Sequence, residues 1–162
     1  MTGAKKKYRR AERAFAFKVL YGMDFTPVGS EAALLAAFLN SPGRPEDFDP
    51  ENSYAWELVL GIWKERARLD AALDALARNW RIERMGKVET AILRIALFEL
   101  QRNNPDVPPK VAINEAVELS KYYGNDKSGV FVNGLLDAAA KKPDYGDPAC
   151  RGISDEVQSA RN

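Results

Sequence analysis

The run VETAILRIALFELQ, from Val88 to Gln101, limits the fold more than any other stretch, because its apolar residues do not keep to one face of a helix. Val88, Ile92, Ile95 and Phe98 make one stripe, Leu93, Leu97 and Leu100 a second, and Ala91 and Ala96 fill the arc between. A helix that is apolar nearly all round is a buried helix. Glu89, Arg94 and Glu99 interrupt the run, and it falls short of the roughly 20 mostly apolar residues that a bilayer span needs. It is therefore expected at the centre of a helical bundle. Arg94 then has to meet a carboxylate or lose several kcal/mol to desolvation. Two readings stand open for it, an internal ion pair, with Glu115 of the next helix as the expected partner, and a contact with an outside partner.

The remaining segments supply helices to surround that centre. Met1 to Lys7 has no apolar pattern and reads as a mobile arm. From Tyr8, Ala11, Phe15, Val19 and Leu20 recur at helical intervals up to about Met23. Phe25-Thr26-Pro27 breaks that helix, and Ser30 caps a second through Ala33, Leu34, Ala37 and Phe38. A polar loop rich in proline and acid covers 42–50. A long third helix is expected over Ser53 to Asn79, with Ala55, Leu58, Ile62, Leu69, Leu73 and Leu76 inward, widened by Val59 and Trp63. In the connector WRIERMG, Ile82 and Met85 pin a turn or short helix against the core. Asn103-Asn104-Pro105 stops the central helix.

Pro108-Pro109 opens the next helix, where a missing N–H costs little, and that helix buries Ala112, Ala116, Leu119 and Tyr123 before Gly124 closes it as a C′ residue. A turn at Asn125 to Ser128 leads into a last helix through Phe131, Val132, Leu135, Leu136 and Ala139. Gly129 and Gly134 lie inside it, and helix-interior glycines mark close approach of a backbone or a ligand. No strand pattern of useful length and no internal repeat occurs. The expected fold is all-α, a single compact bundle of about six or seven helices. Its organisation is a flexible basic arm over 1–7, a helical domain over 8–142 and a disordered tail over 143–162.

Charge is distributed unevenly. The chain carries a net +1, yet Lys5, Lys6, Lys7, Arg9, Arg10 and Arg13 face Glu12 alone within residues 1–13. Cations in the first turns of a helix oppose its macrodipole. They suit an outside anion better than they suit helix stability, the other reading being a solvated basic end. Arginine-rich segments bind RNA by neutralising phosphates and by stacking guanidinium planes on unpaired bases.

Catalytic and metal chemistry find little to work with. The chain has no histidine and one cysteine, Cys150, so the commonest general base, the commonest metal ligand and any cysteine framework are missing. No phosphate-binding glycine loop or nucleophile elbow is present. Glu89, Glu99, Glu115 and Glu118 are expected in ion pairs with Arg94, Lys110 or Lys121. The expectation is a non-enzyme without metal or cofactor. No secretory signal pattern follows the basic terminus, so a cytoplasmic protein is expected.

Four segments together carry a resemblance. RRAERAFAFKVLYGMDF (9–25), GKVETAILRIALFEL (86–100), DVPPKVAINEAVELSKYYG (106–124) and SGVFVNGLLDAAA (128–140), in that order, resemble the NusB family of bacterial transcription antitermination factors. The resemblance implies an all-helical domain that pairs with the small-subunit ribosomal protein NusE, binds single-stranded boxA RNA in ribosomal operon leaders and joins the transcription elongation complex. Carried over by position, it makes Lys7, Arg9, Arg10, Arg13 and Phe131 RNA-facing, with Lys5 and Lys6 of the basic arm beside them, and it gives Tyr21 and Glu89 a role in partner binding. Val130 stands where many relatives carry lysine, and Lys127 supplies the nearby charge. Members of the family are monomers or homodimers. The competing class is a helical protein-interaction module that binds no RNA.

Overall fold

The computed structural model describes residues 3–77 and 85–141, with side chains from Tyr8 onward. The tail over 143–162, Cys150, Ile82 and the side chains of Lys5, Lys6 and Lys7 lie outside the described residues. Six helices and no strand occur among them: α1 Gly3–Met23, α2 Glu31–Asn40, α3 Tyr54–Ala77, α4 Lys87–Arg102, α5 Pro109–Tyr123 and α6 Ser128–Ala140. None is long and apolar enough to cross a membrane.

Helix α4 is the axis the rest surrounds. Every residue from Ala91 to Leu100 is buried, and the helix packs against α1, α3, α5 and α6. Asn103, in the left-handed region at φ 52°, ends it. The α2 cap is also as expected, the Ser30 side chain accepting from the Ala33 N–H. Phe38 anchors α2, its ring edge-on to Phe15 of α1 and to Trp56 of α3 and 5.0 Å from Phe48 of the 42–50 loop. Helix α3 starts on two caps. Ser53 Oγ accepts from the Trp56 N–H, and the buried Glu12 carboxylate of α1 accepts from the Ala55 N–H at 2.8 Å.

Three expectations need correction. Helix α1 begins at Gly3 instead of Tyr8, because Ala4 and the lysines are good helix formers and extending an existing helix adds one hydrogen bond per residue fixed. Its inward stripe does not include Ala11, which is exposed; Glu12 and Arg13 take the inward positions. Gly124 closes α5 in an extended conformation, φ −95° and ψ −157°, and not as a left-handed C′ residue. Glycine fits there because a Cβ would lie 2.6 Å from Ser128 Oγ and 2.7 Å from the Ser120 carbonyl.

A helical glycine under tight packing is Gly61 of α3, which the sequence does not single out. Gly129 is buried, yet a Cβ there would make only ordinary contact, the nearest atom being Lys121 Cγ at 3.7 Å; Gly134 is half-buried. At Gly61 a Cβ would lie 2.3 Å from Cζ of Phe98. That ring is itself buried and lies under the Arg102 guanidinium. Gly61→Ala is expected to cost about 1–3 kcal/mol by overpacking, read as a lower urea midpoint at constant m. An unchanged midpoint would mean that the Phe98 ring swings aside freely.

Arg94 is buried and ion-paired, as its place between two apolar stripes requires, but its partner is not Glu115. Nε and Nη2 reach the two oxygens of Asp70 at 2.7 and 3.1 Å, and Nη1 reaches Asp24 at 3.2 Å. Burial works against the guanidinium charge, and the two carboxylates outweigh it, so its pKa stands above the ordinary value. The phase of α4 turns residue 94 toward α3 and the end of α1, while Glu115 of α5 is taken by Arg10.

Candidate nucleic-acid interface

The arginines of α1 are spaced so that Arg9 and Arg13 share a face and Arg10 lies about 100° around the helix. Arg13 is not available to an outside anion. Its side chain is 4% exposed and donates to both Glu99 oxygens of α4 at 2.7–3.0 Å. Tyr54 donates to the same carboxylate, and burial together with the Glu99 charge pushes its phenol far above its ordinary pKa, which holds it as a neutral donor. For Arg13 burial opposes the charge, and the hydrogen bonds and charge of Glu99 prevail, raising its pKa.

Arg9 is also held from within. Its guanidinium lies 5.2 Å from the centre of the Tyr54 ring and donates to the Asp106 carbonyl at 3.2 Å, leaving the side chain 15% exposed. Arg10 is the outward one. It makes a bidentate pair with the buried Glu115 of α5 at 2.9 and 3.0 Å, and its side chain remains 59% exposed. These three residues therefore fasten α1 to α3, α4 and α5, and of the three only Arg10 keeps most of its surface toward solvent. The acids expected in ion pairs are so engaged at Glu99, Glu115 and Glu118, the last with Lys121 at 3.4 Å. For Glu99 and Glu115 the cations come from α1.

A second zone forms where the end of α1, the start of α4 and the turn between α5 and α6 meet. They enclose an open groove of about 410 Å³ that brings Tyr21 and Glu89 together with Phe25, Lys87, Tyr123 and Asn125. Glu89 sits in the first turn of α4, where a carboxylate suits the helix dipole. Its Oε1 accepts from Ser128 Oγ at 2.6 Å. Asn125 Oδ1 in turn accepts from the backbone N–H groups of Lys127 and Ser128 and so fixes the start of α6 beside the groove. Lys127 is exposed there; Phe131, one turn on, is half-buried against the core.

The fold thus brings Tyr21 and Glu89 into one groove with the start of α6 tied to its wall, and it withdraws Arg13 from the surface. Sequence reasoning missed Phe25, Lys87, Tyr123 and Asn125 as groove residues. The four-residue spacing of Phe17, Tyr21 and Phe25 was the available signal, since it sets the first two rings on one face of α1 and brings the third beside them just past the helix end.

Comparison with known proteins agrees with this architecture. The model of the NusB family matches residues 10–141. The transcription antitermination protein NusB of Nitratidesulfovibrio vulgaris (strain Miyazaki F) is 49% identical over 154 residues, covering 88% of this chain and 93% of the relative. Among solved structures, T. maritima NusB aligns with a TM-score of 0.69 at 32% identity over 83% of this chain and 91% of that one. A NusB solved with NusE in complex with dsRNA aligns with a TM-score of 0.68 at 28% identity, covering 83% of this chain and 97% of that one.

Proposed function

The chain belongs to the NusB family, and from that membership we propose that it acts in the cytoplasm as a transcription antitermination factor, without catalysis, binding single-stranded boxA-type RNA jointly with the ribosomal protein NusE and entering the elongation complex of ribosomal operons. The observation that carries the NusE and RNA part of this reading is the likeness, over nearly the whole of that chain, to a NusB solved with NusE in complex with dsRNA.

The residues proposed to meet RNA are Lys5, Lys6, Lys7 and Arg10 at one end of α1 and Lys127 with Phe131 at the start of α6. Tyr21 and Glu89 are proposed to serve the joint complex from the groove. Arg9 and Arg13 serve the site by holding α1 in place. Lysine and arginine contacts to phosphates are loose and poorly selective on their own. NusE bound to the same RNA adds affinity through effective concentration, with no conformational switch required.

The test is RNA binding across a salt series, with and without NusE, on single-stranded and duplex boxA RNA. NusE is expected to tighten the complex at least about tenfold. Exchange of Lys5, Lys6 and Lys7 for alanine, which leaves Arg13 intact, is expected to lower the log–log salt slope by about 2, at about 0.7 per phosphate contact on a single strand. RNA binding that ignores salt, or a wild type that binds NusE and no RNA, would favour a protein-interaction module and end this reading.

A further inference from the structure

An aromatic ladder crosses the groove floor and ends in two exposed rings. Just past the end of α1 the Phe25 ring meets Tyr21 of α1 edge-on at 5.1 Å, and Tyr21 stacks on Phe17 at 5.8 Å. Phe17 then meets Tyr123 of α5 at 4.6 Å, and Tyr123 meets Tyr122 at 4.7 Å. The middle of the ladder is core, with Phe17 only 3% exposed. Its two ends are 59% exposed at Phe25 and 80% exposed at Tyr122. Scattered exposed aromatics call for no explanation, but these two are the ends of one packed series that crosses from α1 to α5 beside the groove.

Charge distinguishes the occupant. The Lys87 ammonium lies 4.4 Å from the centre of the Phe25 ring and donates to the Asp24 carbonyl, so a cation is fixed beside an exposed aromatic surface. Rings beside ammonium groups are what single-stranded nucleic acid uses, bases on the rings and phosphates on the cations. The seam where α1 meets α5, at Arg10–Glu115 and at Phe17–Tyr123, leads toward the basic end of α1. Arg10 and Tyr21 lie about 16 Å apart along the axis of α1. A strand that meets Arg10 can continue along this seam to the groove.

We infer that Phe25 and Tyr122 are base-stacking residues of the RNA site, each taking an unpaired base on its exposed ring, with the Lys87 ammonium meeting the backbone beside Phe25. This assignment rests on the RNA-binding reading given above and adds to it a second, aromatic stretch of the contact surface. Stacking discriminates unpaired from paired bases, since a duplex hides its ring faces; phosphate contacts alone do not.

The experiment uses the full chain with NusE and a boxA single strand carrying a fluorescent aminopurine at successive positions. Phe25→Ala and Tyr122→Ala are each expected to weaken binding about tenfold at an unchanged salt slope. Each should also restore aminopurine emission at one position of the strand. Phe25→Tyr and Tyr122→Phe, which keep a ring, are expected to bind as wild type does. Lys87→Gln is expected to reduce the slope by about 0.7. Both ring positions are exposed, so melting temperatures should stay near the wild-type value. Alanine variants that bind RNA and quench as wild type does overturn the inference and leave RNA binding by the family surface intact. Loss of NusE affinity with unchanged RNA affinity of the chain alone also overturns it, by making the groove a protein site. Absence of salt-dependent RNA binding in the wild type overturns both readings.

Discussion

Replacing Glu99 by alanine is expected to lower the stability of this protein by about 3–5 kcal/mol, the cost of leaving one partner of a buried ion pair unmatched. The Arg13 and Glu99 side chains are 4% and 2% exposed, so neither can turn to water for a substitute. Three hydrogen bonds at 2.7–3.0 Å join them, and the Tyr54 hydroxyl donates to the same acid. Against a total of roughly 5–15 kcal/mol for a domain, the loss should appear as a melting temperature lower by roughly 10 °C or more. Arg13→Ala should fall in the same range for the mirror-image reason. The double exchange Arg13→Met with Glu99→Leu should recover much of the loss, because a buried pair replaced by apolar groups of similar volume is often neutral. A melting temperature within about 2 °C of wild type in either single variant would show that the pair is solvated in solution. One consequence reaches function. An Arg13→Ala protein that binds RNA poorly would do so because α1 has lost its anchor, and its thermal melt would reveal this.

Arg94→Ala is expected to cost less, about 2–3 kcal/mol, although its guanidinium is only 9% exposed. The difference lies in what the acids do once the arginine is gone. Asp70 is 40% exposed and regains water. Asp24 is nearly buried, at 7%, but keeps its bond to Arg66 Nη2 at 2.8 Å. A double-mutant cycle makes the test specific. Arg94 and Asp70 should show a coupling of about 1 kcal/mol or more, and Arg94 and Glu115 none. Coupling to Glu115 would mean that α4 is rotated about its axis relative to the arrangement described here.

The two ion pairs mark where sequence reasoning reaches and where it stops. Periodicity made α4 legible as a buried helix, because no other arrangement hides apolar residues on every side of it. Punctuation placed several helix ends, through Ser30 as a cap for α2, Asn103 at the stop of α4 and Pro109 in the first turn of α5. The ordered motifs identified the family. Even the inward direction of Arg13 was written in the chain. Ala16, Phe17 and Leu20 follow it at three, four and seven residues, and all are buried. Its charge argued for the surface, and the helical phase was the better guide.

What the chain alone left open is which charges meet. Arg94 has Asp24 and Asp70 as partners from positions 70 and 24 residues away, and Arg10 and Arg13 find theirs 105 and 86 residues away. Such pairings depend on where helices cross and how each is turned about its axis, and those are settled by the packing of whole faces. The groove is of the same kind. Tyr21, Glu89 and Asn125 carry no mutual signal along the chain, and they become one site only because α1, α4 and the turn after α5 are packed around a common core. Local hydrogen bonding and the helical period fix which residues turn inward, so the sequence determined the elements and their buried faces; side-chain partnership is a property of the assembled bundle, so the tertiary structure decided the site.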